Sequence, residues 1–221
     1  VLARLTLQDQ ANRDWEDLAL GPCPSGTCLF VADVGDNNAT ADTVALLRLP
    51  EPLLPEPWTG DPWIATVEVE RLPFRYPEGP VDAEALVVRP DGVPIVLSKV
   101  PGGSTEFFAL PDLAPGVVTE ALSLGIRRLV PEGTPSFGTT AADLLPDGER
   151  MIVRGYFDLR EFTLLSGPDG ASLKLSEGLS SPPGEPQGES VTYDAVGRRI
   201  LTVGEAQGGS PPIYVFQCED P

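Results

Sequence analysis

Residues 12–20 read NRDWEDLAL, and three weaker copies of this segment return later in the chain, at residues 81–88, 139–145 and 187–193. When the copies are aligned on their short apolar runs, one column contains Glu16, Glu84, Ala142 and Glu189, and the next contains Asp17, Ala85, Asp143 and Ser190. An acidic position that recurs beside an apolar run predicts one structural unit repeated around an axis.

A glycine-containing turn and a second apolar run follow each copy, as in residues 91–97 after the second copy. This pattern is typical of a β-hairpin. A third apolar run follows in every unit, and a more polar fourth run closes three of them. Such units predict an all-β fold, namely a β-propeller of four-stranded antiparallel blades. A two-sheet sandwich would leave the repeated acidic column without an explanation.

Four blades are visible in the sequence, and we expect residues 1–221 to form a single β-propeller domain. Residues 1–7 have the pattern of an outer strand, whereas the last unit ends after its third strand. We therefore predict that the N-terminal strand completes the last blade and closes the ring.

The chain is strongly acidic, with 33 Asp and Glu residues against 15 Lys and Arg residues and a formal net charge of −18. A surface of this sign repels nucleic acid and anionic lipids, so neither is an expected partner. No stretch reaches the ~20 apolar residues that a membrane span needs. Because the chain has 0 histidines, Ser-His-Asp triads and most zinc sites are excluded.

Two cysteines, Cys23 and Cys28, bracket a turn at residues 24–27. This spacing predicts a disulfide across a hairpin, which is typical of proteins outside the cytosol. No signal peptide is visible, and we expect a secreted, periplasmic or cell-surface protein from which such a peptide has been removed. Cys218 is left either as a buried thiol or with a partner outside this chain.

Hairpin geometry brings the start of each innermost strand next to the end of its neighbour, at one mouth of the central channel. The predicted mouth consists of Glu16, Asp33, Glu84, Lys99, Asp143, Arg154, Glu189 and Glu205. Tyr156 and Phe157 come just after Arg154 and are placed to line it. Clustered carboxylates need cations nearby. These are either Lys99 and Arg154, as structural ion pairs, or a metal ion.

Calcium is the metal that fits this residue set, because it takes six to eight oxygen ligands from carboxylates, amides and carbonyls. The predicted ligands are Glu16, Asp17, Asp33, Asp36, Asn37 and Glu84. Residues 33–38, which read DVGDNN, form an oxygen-rich loop, but their spacing is not that of an EF-hand. The alternative is that these Asp and Asn side chains cap backbone N–H groups of a turn.

Four segments in fixed order carry a resemblance to a known group: DWED at 14–17, VGDNN at 34–38, YPEGPVDAEAL at 76–86 and QGE at 187–189. The chain resembles exported bacterial β-propeller proteins of largely unknown function and, more distantly, phytase-like and lactonase-like propellers. The nearer resemblance implies a further blade before the DWED segment, so a five-bladed ring stays open. The more distant one implies calcium at the channel.

Two classes of function are compatible with these features. The first is an exported, monomeric binding module whose acidic channel mouth takes a small molecule, a metal ion or a protein ligand, with calcium as a structural ion. The alternative is a calcium-dependent hydrolase of phosphate esters or lactones that uses the channel carboxylates. The first is favoured because no catalytic constellation is recognisable, and whether the protein is an enzyme is left open.

Overall fold

The computed structural model describes residues 3–53, 60, 62–100, 102–130, 136, 138–167, 170–180, 185, 187–205 and 209–217. For the described residues between 165 and 180, it gives the backbone alone. These residues contain strands and no helix, so the predicted all-β class is confirmed. Accordingly, none of the described segments is a helix long and apolar enough to cross a membrane.

The described residues form eighteen strands. They are β1 (Ala3–Leu7), β2 (Trp15–Cys23), β3 (Gly26–Asp33), β4 (Val44–Pro50), β5 (Trp63–Val67), β6 (Glu70–Arg75), β7 (Ala83–Val88), β8 (Pro94–Ser98), β9 (Ser104–Ala109), β10 (Thr119–Glu120), β11 (Leu122–Arg128), β12 (Thr139–Leu144), β13 (Arg150–Gly155), β14 (Asp158–Gly167), β15 (Gly170–Ser180), β16 (Gly188–Tyr193), β17 (Arg199–Gly204) and β18 (Ile213–Gln217).

Most strands belong to four sheets that follow one another along the chain. The first has the order β10-β6-β4-β3-β2, the second β11-β9-β8-β7, the third β12-β13-β14-β15 and the fourth β16-β17-β18. Apart from the short β10, which runs parallel to β6, neighbouring strands are antiparallel. The first strand of each sheet packs beside that of the next, in the order β2, β7, β12, β16.

Each of these four strands contains a β-bulge near its start. The bulged residue is Glu16, Glu84, Thr140 or Glu189, since the pairing with the second strand shifts there. The sequence alignment that placed Ala142 in the glutamate column is therefore wrong by two residues in the third copy. It matched the apolar runs, and the run of the third copy starts later relative to its bulge. A bulge turns the strand locally and re-aims its side chain.

Apolar side chains fill the spaces between consecutive sheets. Phe108 belongs to the cluster between the first and second sheets, whereas Phe107 belongs to the cluster between the second and third. Successive residues of a strand point to opposite faces, so β9 contributes to both clusters. Ile152 and Tyr193 pack between the third and fourth sheets. The second and third sheets are thus buried on both faces.

The N-terminal strand does not complete the fourth sheet, and this prediction is wrong. β1 pairs in parallel with β5, and Leu7 packs against Val31 and Leu47 on the free face of the first sheet. That face is apolar, and packing Leu7 against it removes apolar surface from water. A wedge-shaped cavity of about 360 Å³ lies between the first and fourth sheets.

The predicted disulfide is confirmed. Cys23 and Cys28 are bonded at an S–S distance of 2.09 Å, and they pair β2 with β3 at their hairpin turn, where Cys23 lies opposite Gly26. The Ser25 hydroxyl lies 3.2 Å from Sγ of Cys23. Cys218 lies outside the described residues.

Candidate functional site

Lys99, which directly follows β8, points its ammonium group at the bulged Glu84 of β7. Nζ donates hydrogen bonds to Oε1 of Glu84 at 2.5 Å and to Oη of Tyr156 at 3.3 Å, and it lies 5.2 Å from the centroid of the tyrosine ring. Burial alone lowers the pKa of Lys99, but the hydrogen bond and charge of Glu84 raise it above its ordinary value. The lysine is therefore a fixed cation, and its contact with Glu84 fits the ion-pair alternative for this residue.

Glu16 lies beside this ion pair, against the backbone of Gly35. A Cβ atom on Gly35 would come within 2.1 Å of Oε1 of Glu16 and 2.6 Å of Cγ of Asp14, so only glycine leaves room for both carboxyl groups. Burial, together with the charges of Glu84 and Asp14, raises the pKa of Glu16 to about 8. Glu16 is thus largely protonated at neutral pH.

Glu189, the bulged residue of β16, completes the group. Burial and the charge of Glu84 raise its pKa to about 7, against the opposing effect of Lys99. Gln187 donates a hydrogen bond to it at 3.4 Å, and the exposed Glu205 adds negative charge at the rim. We call Glu16, Glu84, Lys99, Tyr156 and Glu189 the glutamate cluster.

Arg154 is not part of this cluster. Its guanidinium is fully buried, with Nη2 2.6 Å from Oε2 of Glu185, and both side chains have 0% exposure. The strand register explains the difference. Arg154 pairs with Ala141 inside β13, two residues before Tyr156, which occupies the position of Lys99, and it points between the third and fourth sheets. A Cβ on Gly188 would lie 1.7 Å from Nη2, so this arginine passes directly over β16.

Asp143 is also placed elsewhere, because it lies three residues beyond the bulge at Thr140. Its Oδ2 accepts hydrogen bonds from the backbone N–H of Tyr193 at 2.7 Å and from Oγ1 of Thr192 at 2.8 Å. Burial raises the pKa of Asp143, and these hydrogen bonds oppose that effect. Its carboxylate joins the third sheet to the fourth, so its predicted place at the mouth is wrong.

The other predicted metal ligands already have protein partners or point outward. Oδ2 of the buried Asp33 accepts from Nη1 of Arg71 at 3.0 Å. Asp36 caps its own turn, since its Oδ2 accepts from the N–H groups of Thr40 and Ala41, each at 2.7 Å. Asn37 is exposed. These contacts fit the alternative interpretation, in which the loop side chains serve the turn.

Within the described ranges, no group of three or more His, Cys, Asp and Glu side chains is arranged to hold a metal ion. Calcium binding stays a prediction. Carboxyl groups that the sequence analysis did not select, Asp14 and Asp82, contribute charge to Glu16 and Glu84. Both precede a selected glutamate by two residues, which is the signal that would have found them.

Glu16 of the glutamate cluster borders the cavity between the first and fourth sheets. The cavity of about 360 Å³ is lined by Glu16 on one side and by Ser190 and Ile213 on the other. A second cavity of about 630 Å³ opens farther along the same strands, between Leu20 and Tyr193. Its lining is mainly apolar and includes Asp143.

No family model and no curated protein matches the chain. Similar solved structures include a protein from Lactobacillus plantarum, with 17% identity over 93% of this chain and 51% of that one and a TM-score of 0.56. The periplasmic gluconolactonase of Pseudomonas aeruginosa has 16% identity over 92% of this chain and 54% of that one, with a TM-score of 0.56.

A third structure, from Bacteroides uniformis, is named as a candidate 6-phosphogluconolactonase and has 13% identity over 91% of this chain and 67% of that one, with a TM-score of 0.51. The chain spans about half the length of the first two structures. At these identities the likeness concerns the fold alone.

Proposed function

We propose that this protein hydrolyses uncharged lactones at the glutamate cluster. The observation that carries the proposal is geometric. The bulges of β2, β7 and β16 bring Glu16, Glu84 and Glu189 together, and the ammonium group of Lys99 lies beside Glu84. The fold likeness to a gluconolactonase supports a lactone as the substrate. The cluster thereby favours the hydrolase that the sequence analysis kept as an alternative.

Two carboxyl groups with different pKa values near neutrality can act as the base and the acid of one reaction at neutral pH. Glu189, with a pKa of about 7, accepts a proton from water as the water oxygen bonds to the lactone carbonyl carbon. Glu16, with a pKa of about 8, donates its proton to the ring oxygen as the ring C–O bond breaks. Lys99 stabilises the negative charge that develops on the carbonyl oxygen. The product is a hydroxy acid.

The charge of the site supports an uncharged substrate. Only Lys99 lies within the cluster as a cation, and Glu84 already neutralises it. Asp14, Asp82 and Glu205 surround the glutamates, so a phosphate group would meet uncompensated negative charge. A phosphorylated lactone is therefore a poor substrate in this proposal. The hydroxy-acid product is itself an anion, and the same field favours its release.

The predicted calcium ion belongs to the proposal as well. Glu16 and Glu84 supply carboxylate oxygens of the kind that calcium prefers, and burial together with neighbouring carboxylates raises the pKa of both. A bound divalent cation would polarise the carbonyl oxygen. Glu16 would then be an ionised ligand, and water in place of Glu16 would supply the proton to the ring oxygen. Export is proposed for the same protein, since the Cys23–Cys28 disulfide fits an oxidising compartment.

We further propose that the four sheets are blades of a β-propeller. The packing of β2, β7, β12 and β16 in sequence order supports this, as does the connection from the outer part of one sheet to the innermost strand of the next. A crystal structure in which the four inner strands do not surround a common axis would refute the proposal.

The activity is tested with glucono-δ-lactone, by following acid release in weakly buffered solution and subtracting the spontaneous rate. Wild-type protein is expected to exceed that rate, and Glu189→Gln to lower kcat by about 10²–10⁴-fold, the range for a general base. Glu78→Gln, at an exposed position, serves as the matched control. Wild-type protein that matches the spontaneous rate would overturn the proposal, and lactone binding by calorimetry without turnover would favour the binding module.

A further inference from the structure

Lys99 follows a strand of the second sheet, but its side chain contacts residues that adjoin strands of the third sheet. Its stem lies on Gly138, where a Cβ atom would come within 2.8 Å of Cγ of Lys99 and 3.2 Å of the backbone nitrogen of Val100. Its ammonium meets the hydroxyl and the ring of Tyr156. Neighbouring sheets thus share this side chain.

The strand ladders explain how Tyr156 comes to this place. In the second, third and fourth sheets, the residue opposite the bulge is Ser98, Gly155 or Gly204. The next residue along the chain is Lys99, Tyr156 or Glu205, respectively. These three side chains therefore occupy the same position in successive sheets, at the end where the bulged glutamates lie. The sheet architecture places Tyr156 next to the lysine of the preceding sheet.

We propose that Tyr156 is a positioning residue for Lys99, which rests on the function proposed above. The Tyr156 hydroxyl and ring hold the ammonium on the side of Glu84, so that it faces the carbonyl oxygen of a bound lactone. Two contacts act together. The hydroxyl accepts a hydrogen bond from Nζ, and the ring attracts the cation through its π face. A cation displaced by even ~1 Å stabilises the transition state far less.

Two variants separate these contacts, since Tyr156→Phe removes the hydroxyl alone and Tyr156→Leu removes the ring as well. Tyr214→Leu, at a half-buried position of β18 outside the glutamate cluster, is the control. We expect kcat for glucono-δ-lactone to fall about tenfold in Tyr156→Leu and less in Tyr156→Phe, with KM changed by less than about twofold. A structural role alone would not separate kcat from KM in this graded way.

A second measurement does not depend on activity. The chain has two lysines, Lys99 and Lys174, so amine modification by trinitrobenzenesulfonate can be followed at each by mass spectrometry, with Lys174 as the internal reference. Release of Lys99 in Tyr156→Leu should speed its modification at least about threefold relative to Lys174.

An unchanged modification rate in a folded Tyr156→Leu protein would overturn the positioning role. Faster modification in a protein whose wild type has no lactonase activity would support the positioning of Lys99 and overturn only the proposed function. If Tyr156→Leu does not fold, judged by circular dichroism, the comparison of Tyr156→Phe with wild type decides: a modification rate within about 20% of wild type would then contradict the hydroxyl contact.

Discussion

Asp17 on β2 accepts a hydrogen bond through Oδ2 from the backbone N–H of Leu86 on β7, at a distance of 2.9 Å. The same oxygen accepts a second one from Ala142 on β12 at 3.3 Å, and Oδ1 accepts from Leu18 at 2.8 Å. One carboxylate therefore joins the innermost strands of three sheets. Burial raises its pKa to about 7, and these hydrogen bonds oppose the rise.

Replacement of Asp17 by Asn is expected to destabilise the fold by about 1–3 kcal/mol, the cost of leaving buried N–H groups without an acceptor. The amide keeps one oxygen but turns an NH₂ group toward a backbone donor. Urea unfolding followed by circular dichroism measures the difference. Asp112→Asn, at an exposed turn position, should stay within about 0.5 kcal/mol of wild type. Equal stability of the two variants would contradict the joining role.

The buried pair of Arg154 and Glu185 leads to a second prediction. Arg154→Met leaves the carboxylate of Glu185, which has 0% exposure, without its partner, and we expect a loss of about 3–5 kcal/mol. The double variant Arg154→Met/Glu185→Leu should be more stable than the single variant, because it buries no unpaired charge. Thermal and urea unfolding of the three proteins check this order.

A double variant that is no more stable than Arg154→Met would show that packing of the arginine stem, rather than its charge, is what matters. The sequence analysis expected Arg154 to pair with the glutamates at the channel mouth, whereas in the structure it pairs with Glu185. Arg154 stabilises the fold through Glu185, and its Nη1 also donates a hydrogen bond to the carbonyl oxygen of Ser190 at 3.5 Å.

The sequence pattern was sufficient for the all-β class and for the Cys23–Cys28 disulfide, since both follow from local hairpins. It failed for Arg154 and Asp143 because side-chain direction depends on the position of the bulge, which the third copy conceals by a Thr140 where the others have Glu. The contact of Tyr156 with Lys99 was not predicted because the two residues belong to distant segments that no local pattern brings together.

The raised pKa values predict how stability changes with pH. For Glu16 the pKa rises from 4.5 to about 8 on folding, and for Glu189 from 4.5 to about 7. The folded chain therefore binds more protons than the unfolded chain between these values, and the free energy of unfolding must fall as pH rises from about 4.5 to 8. We expect a lower Tm at pH 8 than at pH 5.

Glu16→Gln removes one of the titrating groups and should flatten this dependence, so that the variant gains on wild type as pH rises. Urea unfolding at four pH values between 5 and 8 provides the comparison, with Glu78→Gln as the control for the loss of one negative charge. Parallel curves for wild type and Glu16→Gln would show that Glu16 ionises alike in the folded and unfolded chains.

The calcium prediction is tested by thermal melts of protein stripped with EGTA and then titrated with calcium chloride. An ion that binds only the folded state stabilises it by about 2.7 kcal/mol at a concentration 100 times its Kd, so the Tm should rise with calcium. Binding would also lower the pKa values of the ligating carboxyl groups. The decrease in Tm from pH 5 to pH 8 should therefore be smaller in the presence of calcium.

Variants locate the ion. Glu16→Gln should abolish the calcium-dependent rise in Tm if the ion lies at the glutamate cluster, whereas Asp36→Asn should abolish it if the ion lies in the loop at 33–38. The loop carboxylates already accept hydrogen bonds from Thr40, Ala41 and Arg71, so we expect the effect at Glu16. A Tm that is the same with EGTA and with millimolar calcium would contradict the calcium prediction and leave Lys99 as the cation that neutralises the cluster.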